Sequence, residues 1–522
     1  MKRAPRTAVV AAILVAAFAG RQVIHHSHAD AAPDPKPAAA TDVAPAVPRE
    51  WKLGSLVFHP CELPQPHSGL STAAWCAPFQ VPEDREHPDG RKLTMRLAMV
   101  RSSAQVPADD PVVFLAGGPG QAATETYSSI APAMGLVLAH RNVLLLDQRG
   151  TGGSHPLSCR EGDDHDVPGG SEESRGVDVA AVRKETQHCL DALSAQADVR
   201  FYTTTDAVAD LEDLRQALGS PKFNVLGVSY GTRVAQQYAM RHPDAVRTLT
   251  LDGVAPNALV LGEDFAVNLD AALKAQFARC ANDEACRARF ADPYQTLYQL
   301  RDALRANPHK VSFRDPQTYA STQRTLSEYV LATVVRMFAY SPETAALLPL
   351  SIDAAARGDV GPLLGQAKLL TGDLGDTMDG GMQYSVICSE DADLLTSRPQ
   401  DKDTILGDNM IEAFRAACSV WPHGKRPADF HQPLHGPVPT LLMSGEFDPV
   451  TPPRYGDEVL KGLPNGRHFV LKGQGHNVVA RGCMPRLLDQ FIDKADAKGL
   501  DGKCLERLSP APVFVGFNGA TP

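Results

Sequence analysis

Residues 223–240, FNVLGVSYGTRVAQQYAM, constrain the fold of this chain more than any other stretch. An apolar, strand-forming run passes straight into Gly227-Val228-Ser229-Tyr230-Gly231 and then into a helical pattern, with no loop between. A chain that only had to reverse would use Asn, Asp or Pro here. Glycines two residues either side of a serine point instead to a cramped strand–turn–helix bend, where side chains would collide with neighbouring backbone. That bend lifts the serine Oγ clear and sets it at a helix N-terminus, where backbone N–H groups favour developing negative charge. Ser229 is the candidate nucleophile.

The surrounding pattern supplies the sheet such a bend needs. Residues 92–100 alternate, with Leu93, Met95, Leu97 and Met99 on one face, and read as a half-buried strand. Short apolar runs at 111–118, 142–148, 223–228, 248–253, 439–445 and 467–473 are bounded by Gly, Pro or Asp, as strands covered on both faces are. Helical patterns separate them. Val208, Leu211, Leu214 and Leu218 recur at helical spacing ahead of Gly219, and Val234, Ala235, Tyr238 and Ala239 share a face ahead of Pro243. Alternation of this kind predicts an α/β class with a doubly wound, mostly parallel sheet. Residues 257–429 break the rhythm with helix formers such as DAALKAQFARCAND and LSEYVLATVVRMFAY, and predict a large helical cap over the carboxyl edge of the sheet. The expected organisation is a core from 49–256 and 430–522, with the cap between.

A serine hydroxyl needs a base, and the base an orienting acid. In this architecture they follow in the order Ser, acid, His. LLMSGEFDPVTPP ends a strand near Asp448, and FVLKGQGHNVV ends the next near His476. Both fall where sheets of this kind carry their sites. Asp252, ending TLTLDG, competes for the acid; Asp448 is preferred because its loop lies one strand before the histidine, and Glu446 is expected to face elsewhere. His476 stands out among 17 histidines by its place after the last apolar run. The oxyanion would take two backbone amides, from Tyr230 and from the glycine-rich loop at Gly118. No Gly-Lys-Ser/Thr follows that loop, which excludes a P-loop. DQRGTGGS (147–154) reads as a structural turn beside the site, with Arg149 either ordering it or serving at the surface.

Composition bears on compartment and partners. With 43% apolar residues, 21% charged and a net charge of −10, the chain reads as soluble and globular. No basic block suggests nucleic acid or an anionic membrane as partner. Lys2, Arg3 and Arg6 precede twelve apolar residues from Ala8 to Ala19, too few to span a bilayer but suited to a secretory signal. Residues 1–31 are expected to be that signal and 32–48, rich in Ala and Pro, an extended tether. No stable anchor should remain after cleavage. His25, His26 and His28 fall in the leader, so no metal site is expected there, and no cofactor is implied. Ten cysteines, Cys61, Cys76, Cys159, Cys189, Cys280, Cys286, Cys388, Cys418, Cys483 and Cys504, favour disulfides in an oxidising compartment, secreted or periplasmic. Pairing of sequence neighbours is the simplest of many connectivities.

GGPGQ, DQRGTGGS, GVSYGTRVAQQYA, LDGV, SGEFDPVTP and GQGHNV, spread from 117 to 478, together resemble the α/β-hydrolase superfamily. Within it they resemble peptidase family S33, the proline iminopeptidase and tripeptidyl aminopeptidase group, and the ending and large insertion look more like the secreted tripeptidyl aminopeptidase branch. Two departures are Ala116, where many relatives have His, and Asn477, where glycine is frequent. The resemblance implies an α/β-hydrolase fold and a Ser229–His476–Asp448 triad working through an acyl-enzyme. It also implies recognition of a free α-amino group by acidic side chains of the insertion, for which Glu390 and Asp391 are the candidates. The expected activity is a secreted serine aminopeptidase acting on peptides. The alternative is a carboxylesterase acting on small esters with the same fold and triad.

Overall fold

Apolar runs without a polar side must be covered from both directions, and here a sheet lies between two helical layers. The computed structural model describes residues 49–65, 69–159, 177–516 and 518–520, so the expected signal and tether lie outside the described residues. Ten strands form the main sheet: β1 (Trp51–Leu53), β2 (Leu56–Pro64), β3 (Ser71–Pro82), β4 (Lys92–Val100), β5 (Val112–Leu115), β6 (Val143–Leu146), β7 (Phe223–Val228), β8 (Val246–Asp252), and, after a small hairpin of β9 (His309–Arg314) and β10 (Ser321–Leu326), β11 (Thr440–Gly445) and β12 (Gly466–Leu471). Their order is β1-β2-β3-β4-β6-β5-β7-β8-β11-β12. Pairings from β1 to β4 and between β4 and β6 are antiparallel, and the remaining six strands are parallel.

Alternate residues of the parallel strands point to opposite faces and feed separate cores. Val113, Leu144, Val225, Leu249 and Leu442 join one, beneath the helices Thr204–Leu218 and Tyr230–Arg241. Val112, Phe114, Leu145, Leu226 and Met443 join the other, beneath Ala123–Met134 and Met484–Lys494. Each fully buried Leu, Val or Phe contributes about 1.5–3 kcal/mol, so both layers are held by the same strands. Gly219 closes the helix Thr204–Leu218 with φ +65°, the left-handed C-terminal cap its position suggested.

The chain leaves the sheet after β8 and returns at β11, although these strands are neighbours, with Leu249 opposite Thr440. The segment between is largely helical, and Leu273, Phe277, Val334, Phe338, Leu348 and Leu363 pack into a core of their own. One antiparallel pair, β9–β10, lies among its helices. The strands HKVSFR and STQRTL bury little beyond Phe313, Thr325 and Leu326, so no apolar run announces them. The later part of the insertion, including Met382, Val386, Ile387 and Ala417, packs instead into one of the sheet-covering cores.

Arg149 settles the role of its loop. It is wholly buried, paired with Asp210 at 2.6 and 2.7 Å, and donates to the carbonyls of Glu83 at 3.0 Å and Phe201 at 2.7 Å. It orders the turn and is no surface residue. All ten cysteines are paired as sequence neighbours: Cys61–Cys76, Cys159–Cys189, Cys280–Cys286, Cys388–Cys418 and Cys483–Cys504. Among the described residues no helix is long and apolar enough to cross a membrane.

Candidate active site

The strand order brings five loops to one edge. After β5 the chain moves first to β6 on one side and then to β7 on the other, and a crevice opens at the carboxyl end of such a switch point. The loop after β5 holds residues 117–120, the bend after β7 holds Ser229, β8 ends at Asp252, and the loops after β11 and β12 carry Asp448 and His476.

Ser229 has φ +55° and ψ −124°, a conformation that a residue with a side chain adopts only under constraint. The constraint is contact between backbones. A side chain at Gly227 would overlap the Gly231 carbonyl, and one at Gly231 would overlap the Leu115 carbonyl. The helix Tyr230–Arg241 therefore starts hard against the neighbouring strand, which is why both positions are glycine. Ser229 itself is only partly buried. Its amide donates to the Asp252 carbonyl at 2.8 Å, and its carbonyl accepts from the Thr232 amide at 2.9 Å.

His476 and Asp448 meet directly. The imidazole Nδ1 lies 2.7 Å from Asp448 Oδ2, with Asp448 fully buried. The other carboxylate oxygen, Oδ1, accepts from the amides of Val450 at 2.9 Å and Thr451 at 2.8 Å, which fixes its direction. Thr451 was not singled out in the sequence. Its Oγ1 donates to Asp448 Oδ2 at 2.9 Å and lies 3.2 Å from His476 Nδ1. The signal was available: a hydroxyl three residues after an aspartate in DPVTP is the spacing of a local side-chain turn. The His476 amide donates to the Tyr340 carbonyl at 2.8 Å, and the two rings meet edge-on at 5.2 Å. Asn477 takes φ +65°, a left-handed position that asparagine tolerates nearly as glycine does.

Burial works against a charged His476, but the Asp448 carboxylate, by charge and hydrogen bond, and Asp252, by charge, raise its pKa above the ordinary 6.5. Asp252 itself is buried and does not bond the imidazole. Its carboxylate accepts the amides of Val478 and Val479. Glu446 turns away and accepts the Gly473 amide at 2.7 Å.

The glycine-rich loop lies against Ser229. A Cβ added to Gly117 would stand 3.1 Å from Ser229 Cβ, and Gly118 follows with φ +107°. Tyr230 opens its helix, so its amide is among the first-turn donors without an intrahelical acceptor. The insertion reaches this loop as well, with the Asp379 amide donating to the Gly120 carbonyl and the Gly152 amide to Asp379 Oδ2, both at 3.0 Å.

Glu390 and Asp391, the candidates for binding a substrate amine, lie inside the protein. Both are fully buried. Glu390 accepts the Thr204 amide at 2.6 Å and the Thr204 hydroxyl at 3.0 Å, while Asp391 pairs with buried Arg233 at 2.9 Å. Thr204 Oγ1 in turn meets the Tyr230 hydroxyl at 2.7 Å. Held this way, the pair ties the insertion to the helices Thr204–Leu218 and Tyr230–Arg241. Burial pushes the Glu390 carboxyl up to about 8, against the pull of Arg233 and with the push of Asp391. Among the described residues no cluster of three or more His, Cys, Asp or Glu could hold a metal.

A family model described as the alpha/beta hydrolase fold matches residues 110–481. The chain is 26% identical over 487 residues to a serine protease, Hip1, of Mycobacterium tuberculosis, covering 87% of this chain and 92% of that protein. It is 24% identical over 485 residues to a tripeptidyl aminopeptidase of Streptomyces coelicolor, covering 84% of each. Over 145 residues it is 30% identical to a proline iminopeptidase of Neisseria gonorrhoeae, covering 28% of this chain and 32% of that protein.

Proposed function

Because this chain belongs to the alpha/beta hydrolase fold family, we propose that it is a serine peptidase, an exported aminopeptidase that removes short peptides from free N-termini, with Ser229, His476 and Asp448 as its triad. The observation that carries the reading is the His476–Asp448 contact of 2.7 Å, on the sheet edge where Ser229 is held at φ +55°. The relatives named serine protease and tripeptidyl aminopeptidase, each matched over more than four-fifths of this chain, favour a peptide substrate over a simple ester.

The chemistry follows from the placement of charge. His476 Nε2 takes the Ser229 proton as Oγ attacks the scissile carbonyl carbon, and Asp448 stabilises the resulting imidazolium and fixes its tautomer. The tetrahedral oxyanion is received by the backbone amides of Tyr230 and Gly118, fixed dipoles of the kind that stabilise developing charge. Collapse passes the proton from His476 to the departing amine and leaves an acyl-enzyme. Water, deprotonated by His476, then releases the acyl product and restores Ser229. Five disulfides suit an oxidising compartment, which supports export.

The deciding measurement sets tripeptidyl and aminoacyl amides, with free and blocked N-termini, beside short-chain p-nitrophenyl esters. Cleavage of free-amine amides that is lost on blocking is expected. Rapid ester turnover with no amide cleavage would replace the peptidase by a carboxylesterase.

A further inference from the structure

Asp252 stands between the two turns that must meet for chemistry. It ends β8, with Val228 opposite it on one neighbouring strand and Met443 on the other. Its backbone carbonyl accepts the Ser229 amide at 2.8 Å. Its side chain is fully buried. Oδ1 and Oδ2 accept the Val478 amide at 2.9 and 2.8 Å, and Oδ2 accepts the Val479 amide at 2.8 Å. One residue thus holds the amide of the nucleophile and the two amides just beyond the base. The next residue, Gly253, lies against the imidazole itself: a Cβ there would be 2.9 Å from His476 Cε1.

A carboxylate suits this place because it only accepts, while the groups facing it are N–H donors. An asparagine of the same shape would turn a donor toward one of them. Charge adds to geometry. His476 is faced by Asp448 from the loop after β11, by Asp252 from β8, by Arg336 of the helix Glu328–Phe338, which opposes its protonation, and by the edge of the Tyr340 ring. Asp252 is faced by His476 and Asp448; burial pushes its carboxyl up to about 6, while the Val478 and Val479 amides and His476 hold it down.

We propose that Asp252 is a positioning residue that locks the Ser229 turn to the His476 turn and sets a second negative charge beside the imidazole. The proposal rests on the triad reading above. Its test compares Asp252→Asn with the unaltered enzyme on p-nitrophenyl acetate, an acyl donor that either peptidase or esterase would turn over. The variant should lose at least about tenfold in kcat with KM within about twofold, and the acid limb of kcat/KM should move to lower pH, since His476 loses a neighbouring charge. An acid limb that stays in place overturns the proposal, whatever the loss of rate, because a purely structural residue would lower activity without moving the base. If the variant does not fold, valine-selective ¹⁵N labelling of the unaltered protein decides. The Val478 and Val479 amides should resist exchange and shift together as a carboxylate titrates, and amides that exchange freely and ignore pH overturn it. Ester hydrolysis that survives Ser229→Ala would bring down the triad reading instead, and the two valine amides would still judge the lock.

Discussion

At the scale of single residues, Ser229 is the proposed nucleophile and adds little to stability. Its side chain is partly exposed, and its constrained backbone is imposed by Gly227, Gly231 and the carbonyls they meet. Ser229→Ala should therefore lower turnover by at least roughly 10³-fold while leaving the melting temperature nearly unchanged. Substantial remaining activity would assign the chemistry to another group. The pH profile belongs to this scale too. In the proposed mechanism attack requires neutral His476 in the free enzyme, and Asp448 and Asp252 lift its pKa above 6.5 despite burial. The acid limb of kcat/KM should then begin above pH 6.5 and fall as pH drops through that pKa. Asp448→Asn should move the limb downward and lower kcat by roughly 10⁴-fold, since the imidazole loses both its charge partner and its fixed tautomer. A limb at the ordinary histidine position in the unaltered enzyme would contradict this account.

At the scale of elements, the strands that carry the site could be read from the chain, and the reason is physical. Strands covered on both faces leave apolar runs, and β5, β6, β7 and β11 fall within runs of that kind, while β8 begins two residues before its run and carries Thr248 and Thr250 between its apolar residues. The antiparallel strands β1, β2 and β3 were not readable in the same way. Their burial is irregular, and Pro60, Pro64, Pro78 and Pro82 interrupt any period. Asp448 and His476 could be found because each follows a run. The acidic pair could not be placed, because nothing local tells a solvated carboxylate from one buried against Arg233. That burial yields a prediction. The folded protein binds the Glu390 proton more tightly than the unfolded chain, with a pKa of about 8 against the ordinary 4.5. Its contribution to stability is whole below pH 4.5 and is lost as pH rises toward 8. Glu390→Gln should flatten the fall in unfolding free energy over this interval by a few kcal/mol at most. Parallel denaturation curves for variant and parent, displaced by a constant amount, would show that Glu390 does not titrate there.

At the scale of the whole molecule, the sheet fixes where the loops converge and the insertion shapes what lies above them. The break in strand rhythm marked the insertion in the sequence, but its division did not show. Helices around Leu273 and Val334 form a separate core, whereas Met382 and Ala417 pack over the sheet. Only the packing of distant faces decides this, and a sequence pattern records faces without their partners. The disulfides act across the whole chain. Denatured but unreduced protein should show no free thiol, since all ten cysteines are paired. Reduction should lower stability by about 2–4 kcal/mol for a bridge such as Cys159–Cys189 and by less for Cys280–Cys286, because longer closed loops restrain the unfolded chain more. Several reactive thiols before reduction would refute the pairing.

The same bridges also bear on how the molecule is made. None encloses or overlaps another, and each closes before the first cysteine of the next begins. A chain emerging N-terminus first can thus be oxidised in simple succession, every cysteine meeting its proper mate as the nearest one free. Assembly of the covalent framework then requires no shuffling of mispaired intermediates.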